Sequence, residues 1–253
     1  MRPVINAPIP SVNGIPKVYR TYQEWRIDLV NAYGQHCIYC NDRLPGLLQV
    51  EHLSPQSLGT QHALDWNNLY LACGPCNLAK SDKVINHVTH YLPNYNNTHF
   101  VFIYVLRPHA TLKGKFACVP IPNPALEPAQ FVKTENLISD LELNRVEQNP
   151  SKERKMTDVR WQNRFDVYEL ANTQRRLWDS LKSTEQKAAY LECVQPMVLK
   201  SGFFSLWLLA FQGIPEVLEV IIHAFPSTAV TCFDKNDGFK PIPRNPHNPT
   251  DPI

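Results

Sequence analysis

Two C-x2-C pairs, Cys37-Ile38-Tyr39-Cys40 and Cys73-Gly74-Pro75-Cys76, constrain this chain more than anything else in it. Each pair makes a knuckle whose two thiolates can face one ion, and two such knuckles close a tetrahedral zinc site. Cys37, Cys40, Cys73 and Cys76 are therefore read as the ligands of one zinc ion. Four thiolates leave no open position for water, so the role of this ion is structural. It staples two segments distant in sequence and contributes on the order of 10 kcal/mol to local folding. The chain has seven cysteines, and Cys118, Cys193 and Cys232 are left scattered. An odd count with this clustering fits metal ligation in a reducing compartment better than a disulfide framework.

What lies between the knuckles differs from a plain zinc ribbon. It contains Val50-Glu51-His52-Leu53-Ser54-Pro55 and Asn67-Asn68-Leu69, and Asn77 follows Cys76 directly. A histidine beside a carboxylate, followed by asparagines, is a set suited to metal-assisted phosphodiester hydrolysis. His52 is the candidate general base, because a neutral imidazole can take a proton from water near neutral pH.

The rest of the chain divides around this segment. Residues 1–20 are proline-punctuated and predict an extended arm. Thr21 and Glu24 have capping-box spacing and open a helix that Gly34 ends, delivering the chain to the first knuckle. Residues 47–53 and 68–72 read as strands and 77–83 as a helix, a strand–strand–helix outline inside a unit spanning 21–98. Residues 99–239 predict a mainly helical region. It has two weak strands at 99–105 and 115–119 and helices over 129–141, 155–180, 183–198, 205–211 and 216–225, with a break at Asn149-Pro150-Ser151. Residues 240–253 carry five prolines and predict a flexible tail.

Hydrophobic residues make up 43% of the 253-residue chain and charged residues 19%, which supports a packed core and argues against global disorder. A net charge of +2 is too mild to announce nucleic-acid binding, so any basic surface is local. The most apolar stretch, Phe203 to Phe211, is far short of the ~20 residues of a spanning helix, and no secretory leader is legible at the start. The expectation is a soluble cytoplasmic protein with no membrane partner.

Cys37, Cys40, Glu51, His52, Asn68-Leu69, Cys73, Cys76, Asn77 and Lys80 together resemble the zinc-stapled branch of the HNH, or ββα-metal, endonucleases. Further motifs extend the resemblance to PtuB-type HNH proteins of Septu and retron anti-phage systems. These are Met1 to Asn6, Lys80-Ser81-Asp82-Lys83, Asn97-Thr98 and Arg160-Trp161-Gln162-Asn163-Arg164. The implied fold is α+β, a zinc-stapled ββα-metal core embedded in a mainly helical protein. The implied activity is metal-dependent cleavage of DNA or RNA, as the effector beside a PtuA-like ATPase. In a retron assembly, a reverse transcriptase and its RNA–DNA product would join them.

By the same resemblance, Asn68 orients the His52 imidazole through its side-chain carbonyl. Glu51 and Asn77 hold a catalytic Mg2+ or Mn2+, hard ions that prefer oxygen ligands. Glu51 stands where Asp is more usual and Asn77 where His often stands, which weakens the metal set. Lys80 and Lys83, on the helix after Asn77, are placed to contact a phosphate backbone. Arg160, Arg164, Arg175 and Arg176, interleaved with Trp161 and Trp178, read either as a binding surface or as the charged flanks of an ordinary amphipathic helix. The competing reading of the whole is a non-catalytic zinc module that binds nucleic acid or protein. It would need none of Glu51, His52, Asn68 and Asn77.

Overall fold

The computed structural model describes residues 1–46, 48–59, 62–110, 112–146, 157–245, 247–248 and 251–253. Near the start, β1 (Ser11–Val12) and β2 (Ile15–Pro16) form a small hairpin. Its turn is Asn13-Gly14, both at positive φ (52° and 78°), the pair of residues that a tight primed turn demands. A 3-10 turn over Tyr22–Trp25 leads into α1 (Arg26–Tyr33). Glu24 reaches back to the Arg20 N–H at 3.3 Å and accepts from the Thr21 hydroxyl at 3.1 Å. Gly34 ends α1 at φ 77°, as its position in the sequence predicts.

The strand–strand–helix outline is present. Strand β3 (Gln49–His52) pairs antiparallel with β4 (Leu69–Ala72) in the register Gln49↔Ala72 to His52↔Leu69. Helix α2 (Gly74–Lys80) follows at once. It starts inside the second knuckle rather than after it. Cys73 is its N-cap, accepting from the Cys76 N–H, and Pro75 stands in its first turn, where no amide hydrogen is needed. It also ends three residues short of Lys83, with Ser81 at φ 49°.

A longer hairpin, β5 (Phe102–Pro108) and β6 (Phe116–Pro122), comes next, then α3 (Pro128–Asp140), opened by a Glu127/Gln130 capping box. The expected break at Asn149-Pro150-Ser151 and the expected start of the long helix at Lys155 lie outside the described residues. Within them the helix, α4, runs Arg160–Ser180. α5 (Thr184–Ser201) has both halves of the predicted Ser183/Gln186 capping box and continues past Pro196. α6 (Phe204–Ala210), α7 (Pro215–Ala224) and a short pair, β7 (Phe233–Asp234) with β8 (Lys240–Pro241), complete the chain.

Two large apolar cores result, beside a small cluster of Ala117, Val119 and Trp161. One gathers the N-terminal segment, α1, the knuckles, β3, β4 and α3. The other gathers α4 to α7 around Trp207, Phe204 and Phe211. They meet at the first knuckle. Phe203 N–H donates to the Asn41 carbonyl at 2.7 Å, Phe204 N–H to Asn41 Oδ1 at 2.8 Å, and Asn163 Nδ2 to Asp42 at 2.9 Å. Gly202 is required there: it sits at φ 73°, and a Cβ on it would lie 2.7 Å from the Asn41 carbonyl oxygen.

Both chain ends pack more than their composition predicts. Met1 to Val4 are buried, with the Val4 N–H on the Pro93 carbonyl (2.7 Å) and the Ala229 N–H on the Pro3 carbonyl (3.0 Å). In the proline-rich tail, Asp251 and Ile253 are buried. Asn96 Nδ2 donates to the Ile253 carbonyl at 2.7 Å and Lys133 pairs with Asp251 at 2.8 Å. Proline removes backbone donors but not apolar surface, and buried Asn96 supplies the missing polar partner.

Candidate functional site

The four knuckle cysteines converge. All four sulfurs lie within 4.8 Å of one another, all four residues are buried, and Cys40 Sγ is 3.6 Å from Cys73 Sγ. A tetrahedral site with Zn–S bonds of ~2.3 Å needs sulfurs about 3.8 Å apart, so these residues fit zinc. The knuckles are built by local hydrogen bonds: Asn41 N–H to the Cys37 carbonyl, Cys37 N–H to the Asp42 carbonyl, and Ile38 N–H to the Leu71 carbonyl on β4. Asn41 adopts positive φ, which asparagine tolerates. Burial would raise the Cys76 thiol. Hydrogen bonds from Cys37, Cys40 and Cys73 and the charge of Arg160 instead hold it well below the ordinary thiol range.

Strand β3 presents Glu51 and His52 to opposite faces, as strand alternation dictates. On one face, Glu51 is 3% exposed. Its Oε1 accepts from the Lys80 ammonium at 2.9 Å and from the Tyr39 hydroxyl at 3.0 Å. Burial raises the carboxyl above its usual range, and Lys80 and Tyr39 oppose that shift. One turn earlier on α2, Asn77 Nδ2 donates to Gln49 Oε1 at 2.8 Å. Helix α2 is thus strapped along β3 by two polar pairs, Asn77–Gln49 and Lys80–Glu51.

Two sequence expectations change here. Lys80 is 1% exposed, and its ammonium is shared between Glu51 and the His52 carbonyl (2.8 Å), so it is not a surface phosphate contact. Glu51, expected as a ligand of Mg2+ or Mn2+, is buried against that ammonium. A divalent ion beside this carboxylate would also sit beside Lys80, and like charges in a buried site repel. Asn77 is half-buried and keeps its side-chain oxygen for other use, but an amide oxygen alone is a poor divalent site. The residues fit the structural zinc; in this arrangement they do not fit the second ion. Lys83 is exposed, lies beyond α2, and is engaged by Asp140, through its carbonyl at 2.9 Å and its carboxylate at 3.3 Å.

On the other face, His52 is 9% exposed, with the Tyr22 ring edge-on at 4.7 Å. Its Nε2 lies 3.0 Å from the Ala63 carbonyl. A carbonyl only accepts, so Nε2 carries the hydrogen and Nδ1 keeps the lone pair. The Gln56 amide nitrogen, 3.1 Å from the same Nε2, would then oppose it donor to donor; turning that amide to present its oxygen resolves the clash. Burial and the charge of Lys80 lower the His52 pKa, while the Ala63 carbonyl opposes them, so the ring is neutral at pH 7. A neutral ring with a free Nδ1 is the form a general base requires.

Asn68 does not touch the imidazole as expected. Its Oδ1 accepts from the Ser54 N–H at 2.8 Å, and its Nδ2 donates to the Ser54 and His62 carbonyls, both at 3.1 Å. It braces the loop after β3, and that loop supplies the Ala63 carbonyl to His52. Its effect on the ring is one step removed. Beside it, Leu53, Asn67, Asn86 and His87 help line an open cleft of about 300 Å³.

The arginines of α4 form no basic surface. Arg160 and Arg164 are buried; Arg175 is held by Asp179 and by the Ala210 and Gln212 carbonyls, and Arg176 by Thr173. Arg160 is the residue whose importance the spacing of the sequence conceals, since its Nη1 lies 3.0 Å from Cys76 Sγ.

The fold and the four-cysteine site define a metal-binding module of two strands and a helix. Residues 37–83, the segment that holds all of it, match the family model for HNH endonuclease. The match supports the HNH family for this segment and, at the level of the family, nuclease activity on nucleic acid. No curated protein matches the chain. Among the described residues, no helix is long and apolar enough to cross a membrane.

Proposed function

We propose that this protein is an endonuclease that hydrolyses phosphodiester bonds of DNA or RNA, with His52 as the general base. The observation that carries the reading is the His52 imidazole at the end of β3 with its Nε2 3.0 Å from the Ala63 carbonyl, within the segment that matches the nuclease family; burial, which lowers its pKa, supports it. His52 Nδ1 takes the proton from a water as that water attacks phosphorus, and the bond to the opposite oxygen breaks, that oxygen leaving with the bonding pair and taking a proton from solvent. Zinc at Cys37, Cys40, Cys73 and Cys76 holds the knuckles and takes no part in the reaction. Asn68 and Gln56 act on the loop and the ring that surround it. Glu51 and Asn77 would hold a Mg2+ or Mn2+ ion, which would supply charge neutralisation, only from an arrangement other than the one seen. Its binding there requires Lys80 to release the carboxylate.

The biological setting rests on the resemblance to PtuB-type proteins. It is that of an effector in an anti-phage system, with a PtuA-like ATPase as partner and, in a retron, a reverse transcriptase with its RNA–DNA product. The closure of Glu51 by Lys80 favours one second reading, a zinc module that binds nucleic acid or protein without cutting it.

Purified protein, alone and with its partner, is incubated with DNA and with RNA in Mg2+, Mn2+ or chelator. Cleavage that falls ~10²–10⁴-fold in a folded, zinc-loaded His52→Ala protein is the expected result. Near-normal cleavage by that variant removes His52 as the base. Tight binding with no cleavage under any condition favours the binding module.

A further inference from the structure

The zinc centre carries a charge problem that the knuckles do not solve. Zn2+ with four thiolates has a net charge of −2, and all four cysteines are buried. Within the knuckles, the Cys76 N–H donates to Cys73 Sγ at 3.5 Å. A full positive charge comes from outside, from the first residue of α4. Arg160 is 2% exposed, and its Nη1 donates to Cys76 Sγ at 3.0 Å.

The guanidinium is held so that it can point nowhere else. Its Nε and Nη2 grip both oxygens of Asp158, at 2.9 and 2.7 Å, in the two-pronged geometry that arginine alone offers. Its remaining donors close on the Leu141 carbonyl (3.0 Å) and the Glu142 carbonyl (2.8 Å), just past α3. Arg145 Nε lies 3.9 Å from Asp158 Oδ2, the oxygen that also accepts from Arg160 Nη2. One turn along α4, Arg164 is equally buried but donates to the Cys118 and Leu143 carbonyls and, among the described residues, to no sulfur.

We propose that Arg160 is a positioning residue for the Cys76 thiolate, and that through it metal loading of the four-cysteine centre is coupled to the seating of α4. The inference rests on reading the four cysteines as a zinc site. Bound zinc fixes the Cys76 sulfur at the point where Arg160 Nη1 meets it, and a charge-assisted hydrogen bond depends on that geometry; in the empty site the sulfur is held by its knuckle alone. Loaded zinc therefore holds Arg160, and with it the start of α4, more tightly than the empty site does. By reciprocity, a seated α4 makes the site bind zinc more tightly. The first knuckle reinforces the same junction, through Asn163 of α4 on Asp42 and through Asn41 on the start of α6.

The test uses the full-length protein purified with its metal, and Arg160→Gln, Arg160→Lys and Arg164→Gln variants. Metal content is measured first, then the rate of zinc transfer to a chromogenic chelator. Outer partners of metal ligands typically govern 10–100-fold in affinity. Arg160→Gln is expected to release zinc ~10–100-fold faster, Arg160→Lys less so, and Arg164→Gln within about twofold of the parent. Cobalt substitution supplies a readout that mere destabilisation would not move: the thiolate-to-cobalt charge-transfer bands should shift in Arg160→Gln and not in Arg164→Gln. If Arg160→Gln does not fold, the parent itself still tests the coupling, because removing its zinc should speed hydrogen exchange in residues 160–167 before global unfolding. A parent without metal overturns the zinc reading and the inference with it. A metal-loaded parent whose zinc release and cobalt spectrum are the same in Arg160→Gln, or whose α4 exchange ignores zinc, overturns the inference alone.

Discussion

Replacing Lys80 with methionine removes one charge from a pair in which both side chains are almost fully buried (1% and 4% exposed). The neutral stem fills similar space, so the cost is mainly electrostatic. It leaves the Glu51 carboxylate with only the Tyr39 hydroxyl and the His52 carbonyl with one partner fewer. Removing one member of a buried pair costs roughly 3–5 kcal/mol, because the other remains as an uncompensated charge. Tyr39 still donates to Glu51, which places the expectation toward the lower end, about 3 kcal/mol. Urea unfolding of zinc-loaded protein, monitored by tryptophan fluorescence, reads this directly. Adding Glu51→Gln to Lys80→Met should return a large part of the loss, since no buried charge is then left unpaired. The pH dependence has a definite sign. Burial already raises the Glu51 carboxyl, and without Lys80 it rises further, so the folded state holds a proton that the unfolded state releases above about 4.5. The cost of Lys80→Met should therefore shrink as the pH falls toward that value. A loss below ~0.5 kcal/mol, the range of an ordinary surface substitution, would refute the buried-pair argument. It would restore Lys80 as a candidate backbone contact. A double variant no more stable than the single one would also count against it.

Asn68→Ala should cost about 1–2 kcal/mol, because the backbone groups of Ser54 and His62 lose a buried partner but can turn to water. NMR titration should show the His52 pKa moving up toward 6.5 as the loop loosens; an unchanged His52 titration would mean the loop does not govern the ring. His36 is buried with Nδ1 unpaired, and burial, aided by the charge of Arg2, lowers its pKa to about 4. The unfolded state binds this proton near 6.5 and the folded state does not, so stability should fall as pH drops from about 6.5 toward 4. At pH 5 the loss is about 2 kcal/mol. Urea midpoints across this range check it, and His36→Gln should flatten that part of the profile.

The parts of the fold legible in the sequence are those with short-range causes. The knuckles, the Ser183/Gln186 capping box, Gly34 and the strand pair around His52 follow from spacing and local hydrogen bonding, and the structure contains each of them. What escaped is long-range. Nothing near Lys80 in the sequence says that Glu51, on a strand 29 positions earlier, will take its charge. A lysine after a knuckle looks the same whether it meets water or a carboxylate. The proline-rich end fails as a guide for a related reason. Composition counts the donors that proline lacks, but not Asn96 and Asn97, which lie far upstream and supply donors to the Ile253, Cys232 and Ile242 carbonyls. The block Arg160 to Arg164 stood out by resemblance, yet its charges suggested a surface, and both arginines and Trp161 are interior.

Helix α2 is where these long-range ties concentrate, and that changes how variants around the site must be interpreted. In seven residues it sends Cys76 to the zinc site and Arg160, Asn77 to Gln49, and Lys80 to Glu51 and the His52 carbonyl. The ties from Asn77 and Lys80 end on β3, the strand that carries His52. A substitution at either residue can therefore lower cleavage without its side chain ever meeting the substrate. Activity alone cannot separate a phosphate contact from a strut here. Zinc content and unfolding free energy can: a true contact at Asn77 would lower cleavage at unchanged zinc and stability. A strut moves stability first, and rate only as far as the ring is displaced.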